Sequence, residues 1–304
     1  MKKYFLILLF IVNSAFANFG TADLKHLIAQ SKLKDSDVLM VWKDGELLHS
    51  SNTDKTKQYS IQSVTKSLTA LTTSCIFRDH PEKLDEPRLF KEWEGTAKSA
   101  ITLRMLLTMS SGIVDPADPW GKNDYYRHAA SLPLTYTPGK KFAYANTSTM
   151  LIGKWIKENT GHQFSHHINR CMFEAMGITE WRIGKDGQKN EVVAGGVRIL
   201  AKDLLKVGIM LAQDGVYEGQ QLYTSEQISA LRKGFTTNYG LGFWVWGKNT
   251  YYAEGYLGQF LIIVPSEKLV VLRLRNRSEM RSTVDNKSNW FHELPGLVSK
   301  LISK

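Results

Sequence analysis

The 304-residue sequence predicts an α/β protein of the α+β type, with an antiparallel sheet flanked by N- and C-terminal helices and an inserted helical subdomain. Three observations support this fold class. Residues 38–42 and 47–49 have the pattern of two short strands joined by a turn. Helical spacing dominates residues 63–211, and four short strand patterns follow between residues 239 and 275. Because a hairpin and a meander can pair edge to edge, we expect both to share one sheet.

The first residues are typical of a cleavable signal peptide. Two lysines precede a short apolar run, and Ala15 and Ala17 stand where signal peptidase requires small residues. The run is too short to span a bilayer comfortably, which disfavours an N-terminal anchor. We therefore predict a signal peptide over residues 1–17 and a mature chain that is periplasmic or secreted, with no stable membrane span after cleavage.

The remaining elements follow from apolar spacing and turn residues. Thr21 is the expected N-cap of the first helix, and Ser63 begins the second. A long ordered loop is expected over residues 111–141, which are rich in proline, glycine and aspartate. The predicted helices cover residues 21–32, 63–77, 102–109, 147–159, 164–176, 201–211 and 290–302. The strands of the final meander are predicted at residues 239–246, 251–253, 259–264 and 269–275.

The mature chain, residues 18–304, is expected to form one domain with two parts. An α/β part comprises about residues 18–62 and 190–304, and a helical part comprises about residues 63–189. The cleft between the two parts is the expected ligand site, because ligand pockets form preferentially where structural units meet.

The chain is basic, with 39 Lys and Arg against 29 Asp and Glu and a net charge of +10. Export makes a nucleic-acid partner improbable, so none is predicted. An anionic cell envelope would fit the charge, and so would an ordinary solvated surface, which we favour. Four arginines form the densest basic patch, and the first three alternate as on one face of a strand. These are Arg273, Arg275, Arg277 and Arg281.

Two cysteines cannot organise a zinc ribbon, an iron–sulfur cluster or a disulfide-rich scaffold. Cys75 lies on the apolar face of a predicted helix, which favours two buried thiols over a disulfide with Cys171 after export. His162 and His166 are four residues apart, as are His167 and Cys171. This spacing can chelate a metal, but an ordinary helix surface is favoured, and we predict no metal or cofactor.

Ser63 and Lys66 are the candidate nucleophile and base of a covalent hydrolase. At positions i and i+3 of a helix they share one face, and Ser63 lies at the positive end of the helix dipole. The lysine must lose its proton to act as a base, which burial would favour. The pattern alone is weak, because Ser31 and Lys34 match it too, at the polar end of a surface helix.

Two further elements gain weight from their order along the chain. Tyr144 and Asn146 form the sole Tyr-x-Asn pattern; a tyrosinate or a phenol of lowered pKa would relay a proton, and the amide would bind a substrate. Alternatively, they are a packed ring and a helix cap. Near the end of the chain, Gly255 and Gly258 would let the backbone approach a ligand closely and supply an N–H group to an oxyanion. Alternatively, the two glycines belong to an ordinary hairpin.

In this order the three elements resemble the penicillin-recognising serine hydrolases, which include class C β-lactamases, D-Ala-D-Ala peptidases, esterases and 6-aminohexanoate-dimer hydrolase. The resemblance covers most of the mature chain and implies a β-lactamase/transpeptidase-like fold with one hydrolase domain. Other segments that fit are residues 106–112, 138–139, 201–205 and 239–242.

The resemblance implies a role for each candidate. Ser63 would form an acyl-enzyme, and Lys66 and Tyr144 would share acid–base work, with the choice of base left open. The N–H groups of Ser63 and Tyr256 would form the oxyanion hole. The substrate-binding positions, including those that supply or flank the oxyanion donor, would be Asn146, Ala253, Gly255 and Tyr256.

Two departures bear on the substrate. Ala253 stands where the family usually has Lys or His, and Met109 stands where it often has His. The first departure removes a cation that would bind a substrate carboxylate, and strand alternation turns Glu254 away from the cleft.

We therefore expect an exported serine hydrolase acting on small ester or amide bonds, closer to a carboxylesterase or amidase than to an efficient β-lactamase. The alternatives are a β-lactamase or D-Ala-D-Ala carboxypeptidase acting on cell-wall peptides, a metallohydrolase, and a non-catalytic penicillin-binding-type sensor or binding module. The partner is a small-molecule ester, amide or peptide substrate.

Overall fold

A computed structural model describes residues 20–118, 121–236, 238–276 and 293–302. The predicted signal peptide, Arg277 and Arg281 lie outside these residues. Within them, no helix combines the length and apolar character needed to cross a membrane. The strands are β1 Val38–Lys43, β2 Glu46–Ser50, β3 Gln58–Ser60, β4 Trp181–Ile183, β5 Val197–Leu200, β6 Val216–Tyr217, β7 Gln220–Gln221, β8 Trp244–Trp246, β9 Thr250–Gly255, β10 Gln259–Val264 and β11 Leu269–Leu274.

The helices are α1 Thr21–Leu33, α2 Val64–Ile76, α3 Leu103–Leu107, α4 Tyr125–Ser131, α5 Asn146–Thr160, α6 Phe164–Ile168, α7 Ala201–Ala212, α8 Ser225–Ala230 and α9 Glu293–Ile302. Five of the described helices, α2 to α6, lie between β3 and β4 in the chain. A π-helical segment, Asn169–Phe173, continues α6, and short 3₁₀ turns fill the connection between α2 and α3.

The first hairpin and the last meander share one antiparallel sheet, as predicted. The strand order is β2-β1-β11-β10-β9-β8, and β1 pairs with β11 from Val38 opposite Leu274 to Lys43 opposite Leu269. Alternate strand residues face opposite layers, so both faces of the sheet are covered. Met40 faces the larger core with α7, whereas Val41 faces a smaller core that includes Leu27 of α1 and Val298 of α9. The flanking N- and C-terminal helices and the α+β fold class are therefore confirmed.

Helix α2 lies beneath the sheet and contacts β9, α5 and α6. Residues 64–74 are all buried, although several are threonines or serines. The hydroxyl of Thr72 donates to the carbonyl of Leu68, and that of Thr73 to Thr69, four residues back in each case. These bonds satisfy the polar groups inside the core, so a helix rich in threonine can lie at its centre.

Cys75 and Cys171 form a disulfide, which corrects the expectation of two buried thiols. Cys75 ends the buried face of α2, and Cys171 lies opposite it in the π-helical segment, with 6.0 Å between the Cα atoms. This separation lies in the range that a disulfide can bridge. The spacing of 96 residues along the chain gave no sign of the proximity.

Other local expectations are also corrected. The long loop contains α4, which Asp124 caps by accepting from the Arg127 N–H at 3.0 Å. The three-stranded sheet β3-β5-β4 was not predicted, because strands of three or four residues show no clear alternation. Gly20, not Thr21, is the N-cap of α1, and residues 239–243 precede β8 rather than belonging to it.

The described members of the arginine patch are buried. Arg273 is 0 % exposed and Arg275 is 6 % exposed. The Arg273 guanidinium donates to the carbonyls of Lys34 and Gly258 and to the Ser36 hydroxyl, at 2.6–2.9 Å. These two residues therefore fasten the α1–β1 connection to the sheet, and they are not part of a basic surface.

Candidate active site

Ser63 stands at the N-terminus of α2, immediately after a tight turn. Gln62 has a φ of +51°, a left-handed backbone conformation that residues other than glycine and asparagine rarely adopt. The chain reverses there, and the Val64 N–H donates to the Ile61 carbonyl at 3.1 Å. Ser63 is consequently half-buried at the positive end of the helix dipole, where developing negative charge is stabilised.

Lys66 lies one turn further along α2 and is 2 % exposed. Its Nζ donates to Ser63 Oγ at 3.1 Å, to Asn146 Oδ1 at 2.8 Å and to the Ala194 carbonyl at 2.6 Å. Burial lowers the pKa of Lys66 to about 7, and the nearby Asp115 carboxylate opposes this shift. In the neutral amine, two hydrogens serve Asn146 and Ala194, and the lone pair is left for the Ser63 hydroxyl.

Tyr144 contacts the same serine. Its hydroxyl hydrogen-bonds to Ser63, and its ring stacks on Trp244 at 5.8 Å between centroids, with Tyr239 edge-on at 6.1 Å. Burial of the phenol is the main cause that raises its pKa to about 12; the Glu254 and Asp115 carboxylates act in the same direction, and the Ser63 hydrogen bond opposes them. The direction is opposite to the lowered pKa expected from the sequence, so the Tyr144 phenol is protonated near neutral pH.

Asp115 was not identified from the sequence. Its carboxylate accepts four hydrogen bonds of 2.6–2.8 Å, from the backbone N–H groups and side chains of Asn146 and Thr147. It thereby caps α5 from a loop 31 residues earlier in the chain. Both ends of the Asn146 amide are engaged within the protein, Nδ2 by Asp115 and Oδ1 by Lys66. The substrate contact of Asn146 stays a prediction.

The end of β9 passes directly beside the turn that precedes Ser63. A Cβ at Gly255 would lie 2.5 Å from the Ile61 carbonyl oxygen and 3.1 Å from Gln62 Cβ. Only glycine permits this approach. Tyr256 begins the next turn and is 51 % exposed. The structure therefore places the segment that is expected to bind an oxyanion against the turn before Ser63.

Ala253 and Glu254 differ from the sequence-based expectation. Ala253 is 1 % exposed and belongs to the larger core, so its methyl group does not face an open cleft. Glu254 is 8 % exposed, and its carboxylate is near enough to raise the pKa of both Tyr144 and Tyr252. Alternation correctly separates the two side chains, but it does not remove Glu254 from the electrostatic surroundings of the site.

Neighbouring backbone segments fix the position of α2. A Cβ at Gly242 would lie 2.9 Å from the Lys66 carbonyl oxygen and 2.8 Å from Ala70 Cβ. Opposite it, Thr69 Oγ1 donates to the Val193 carbonyl at 2.9 Å, next to the Ala194 carbonyl that binds Lys66. These contacts hold α2 between two loops.

Two other sequence candidates lie outside this cluster. Met109 is 2 % exposed with a φ of +57°, and its carbonyl accepts from the Ala143 N–H at 2.7 Å, which orients the segment leading to Tyr144. His162 and His166 stack at 4.0 Å between ring centroids on α6 and its preceding turn. Among the residues that the structure describes, no group of His, Cys, Asp or Glu has an arrangement that could hold a metal.

The sequence matches the family model "Beta-lactamase" over residues 26–292, which include every residue of the cluster described above. The chain belongs to the β-lactamase family. The resemblance stated from the motifs is thereby confirmed: the chain belongs to a family of β-lactamase-fold serine hydrolases. No curated protein sequence matches the chain.

Solved structures of this β-lactamase-family fold align over most of the chain. A protein described as a β-lactamase from Bacteroides dorei is 18 % identical, covers 92 % of this chain and 98 % of its own, and has a TM-score of 0.76. A protein assigned as a 6-aminohexanoate-dimer hydrolase from Bacillus anthracis is 19 % identical, with coverages of 91 % and 80 % and a TM-score of 0.74. EstCE1, a hydrolase with promiscuous acyltransferase activity, is 13 % identical, with coverages of 94 % and 100 % and a TM-score of 0.68. At these identities the likeness supports the fold.

Proposed function

We propose that this β-lactamase-family protein is an exported serine hydrolase that cleaves small ester or amide bonds through an acyl-enzyme on Ser63. The observation that carries the proposal is the 3.1 Å contact between Ser63 Oγ and the Nζ of Lys66, a buried lysine whose pKa is about 7. A lysine that is half neutral near pH 7 can accept the serine proton and later return it.

These residues can carry every proton transfer that the reaction requires. Neutral Lys66 takes the Ser63 proton as Oγ attacks the carbonyl carbon, and the N–H groups of Ser63 and Tyr256 bind the oxyanion. Tyr144, protonated at neutral pH, donates to the leaving oxygen or nitrogen as the scissile bond breaks, and Lys66 reprotonates it. Water then attacks the acyl-enzyme by the reverse sequence, which regenerates Ser63 and releases the acid.

The surroundings of β9 favour neutral substrates. Ala253 supplies no cation for a substrate carboxylate, and Glu254 places a carboxylate within electrostatic range of Tyr144. A carboxylate-bearing β-lactam or D-Ala-terminated peptide would gain no charge-assisted contact here. A carboxylesterase or amidase activity is therefore preferred over the cell-wall alternative.

Export is proposed from two independent features. The N-terminal pattern is typical of a signal peptide, and the Cys75–Cys171 disulfide is typical of an oxidising compartment. The excess positive charge fits an anionic envelope partner. Binding of the mature protein to anionic vesicles would test this partner.

The test uses the mature protein with a fluorophosphonate probe and a panel of neutral esters, amides and β-lactams. We expect one adduct by intact mass, absent in Ser63→Ala but retained in Ser31→Ala, the matched change at the second Ser-x-x-Lys pattern. Esters should be turned over by the wild type in the presence of a chelator. No adduct on Ser63 would favour the non-catalytic binding module, and loss of activity in the chelator would favour a metallohydrolase.

A further inference from the structure

A carboxylate outside the expected catalytic set is joined to Lys66 through one side chain. Asp115 Oδ2 accepts from Asn146 Nδ2 at 2.8 Å, and Asn146 Oδ1 accepts from Lys66 Nζ at 2.8 Å. The amide has one donating end and one accepting end. Since the carboxylate can only accept, it selects which end faces Lys66.

Asp115 is itself firmly held. Thr147 donates to its Oδ1 from both the backbone N–H and Oγ1, at 2.8 and 2.6 Å, and the Asn146 N–H donates to Oδ2 at 2.8 Å. The N-terminus of α5 adds its positive dipole end. The Asp115 carboxylate is therefore held in one position. If the Asn146 amide rotated, the carboxylate could not move with it to keep the hydrogen bond.

We propose that Asp115 is a positioning residue of the candidate active site, which locks the Asn146 amide so that Oδ1 faces Lys66 and so keeps the Lys66 amine aligned with Ser63. The inference rests on the proposed function and deepens it, because it assigns Asn146 a task within the proton path. If the amide turned over, Nδ2 would face the amine, and Lys66 would lose one of its three partners.

The charge of Asp115 has a second effect on the same lysine. The groups around Lys66 Nζ are the Ser63 hydroxyl on α2, the Asn146 amide on α5, the Ala194 carbonyl and the Tyr144 ring, whose centroid is 5.2 Å away. None of these carries a charge at neutral pH. Asp115 is the carboxylate that raises the pKa of Lys66 against the effect of burial, whereas Glu254 acts on Tyr144.

The decisive variant is Asp115→Asn, which keeps the shape and removes the charge. The pKa of Lys66 should fall by roughly one unit, as expected for loss of a nearby opposite charge. The acid limb of kcat/KM should move to lower pH by the same amount. Because an Asn at position 115 no longer fixes the amide, kcat should fall about 10- to 100-fold while KM changes less. Asp115→Glu keeps the negative charge, so the acid limb of its kcat/KM profile should stay at the wild-type pH.

Asp124→Asn is the matched control. Asp124 is also an aspartate that caps a helix, α4, through a bond of 3.0 Å to the Arg127 N–H, and it belongs to no part of the candidate site. Both changes should lower the melting temperature, since each weakens a helix cap. Only Asp115→Asn should alter the titration of Lys66 and kcat.

The readout that does not need turnover is NMR titration of ¹³C-labelled lysine, with the Lys66 signal assigned from Lys66→Arg. An unchanged Lys66 titration in folded Asp115→Asn, or the same change in Asp124→Asn, overturns the inference. If Asp115→Asn does not fold, the variant to use is Asn146→Ala, which keeps the backbone hydrogen bonds to Asp115. This variant must lower both the pKa of Lys66 and kcat. Wild-type values of the Lys66 pKa and of kcat in Asn146→Ala would also overturn the inference. Failure of the proposed function would appear separately, as a wild type without a Ser63 adduct.

Discussion

The Nζ atom of Lys66 lies 3.1 Å from Ser63 Oγ, one turn further along the helix that Ser63 precedes. The two residues belong to one helical turn, so their backbone spacing does not depend on how separate parts of the chain pack. Tertiary structure adds the Asn146 and Ala194 acceptors, which orient the amine, and burial, which lowers its pKa. The predictions below test these contributions.

The pH dependence follows from Lys66. The neutral amine is the active form, so kcat/KM for a neutral ester should rise with pH through a midpoint near 7, the value to which burial lowers the pKa of this lysine. The profile should show no second limb below pH 9 from ionisation of Tyr144, because the pKa of this phenol is raised to about 12. Initial rates from pH 5.5 to 9 check both statements. A profile flat across this range would contradict Lys66 as the base.

Lys66 and Tyr144 should act as one unit. Lys66→Ala and Tyr144→Phe should each slow acylation by several orders of magnitude, because both contact Ser63 and share the same proton. Residues that act together are not additive, so the double variant should be little worse than the worse single variant. Single-turnover acylation measures all three. A double variant slowed by the product of the two single effects would refute the shared proton path.

Gly255 should tolerate no side chain. In Gly255→Ala the new Cβ would lie 2.5 Å from the Ile61 carbonyl oxygen, so β9 must move away from the turn before Ser63. Overpacking of this kind costs about 1–3 kcal/mol, and displaced oxyanion donors lower kcat about 10- to 100-fold. Gly184→Ala is the control, since its Cβ would meet nothing nearer than 3.9 Å. Equal kcat values in the two variants would count against Gly255 as a close-approach position.

Position 253 should influence stability and not the choice of substrate. Ala253 is 1 % exposed and packs in the larger core, so a longer side chain there would be buried and would not reach a substrate carboxylate. Ala253→Lys and Ala253→Met should both lower the melting temperature by overpacking, and lysine should lower it more because it buries an unpaired charge. The ratio of kcat/KM for a neutral ester to kcat/KM for a β-lactam should stay at the wild-type value in both folded variants. A ratio shifted toward the β-lactam by lysine alone would show that position 253 does reach the cleft.

The disulfide should matter for stability and not for chemistry. Replacing Cys75 and Cys171 together by serine should destabilise the protein by about 2–5 kcal/mol. At 25 °C kcat/KM should stay within about twofold, because Cys75 lies about 18 Å along α2 from Ser63 at 1.5 Å per residue. Chemical denaturation under oxidising and reducing conditions checks the first statement. A folded double variant with much lower kcat/KM would show that the bond also sets the position of Ser63.

Local patterns predicted the parts of the site that are local in the chain. The i, i+3 spacing of Ser63 and Lys66 and the helix that follows Tyr144 are both found in the structure, because helical periodicity is encoded locally in the sequence. The main sheet was predictable for the same reason, since β9, β10 and β11 are neighbours in sequence and in space.

The unpredicted features depend on contacts between distant segments. Asp115 meets Asn146 across 31 residues, and Cys75 meets Cys171 across 96. Neither spacing has a period that a single sequence displays. Ala253 shows a third limit, because alternation assigns it a face of the strand but does not say whether that face meets a cleft or the core.

The left-handed backbone at Gln62 places a stability cost next to Ser63. A residue with a side chain in this conformation costs of order 1–3 kcal/mol, which the surrounding packing must offset. Glycine at this position would relieve the cost in the folded state but would also free the unfolded chain. A substitution that moved residue 62 into the right-handed region would remove this cost, but it would also undo the turn that places Ser63 at the start of α2. Stability and reactivity therefore compete at this position.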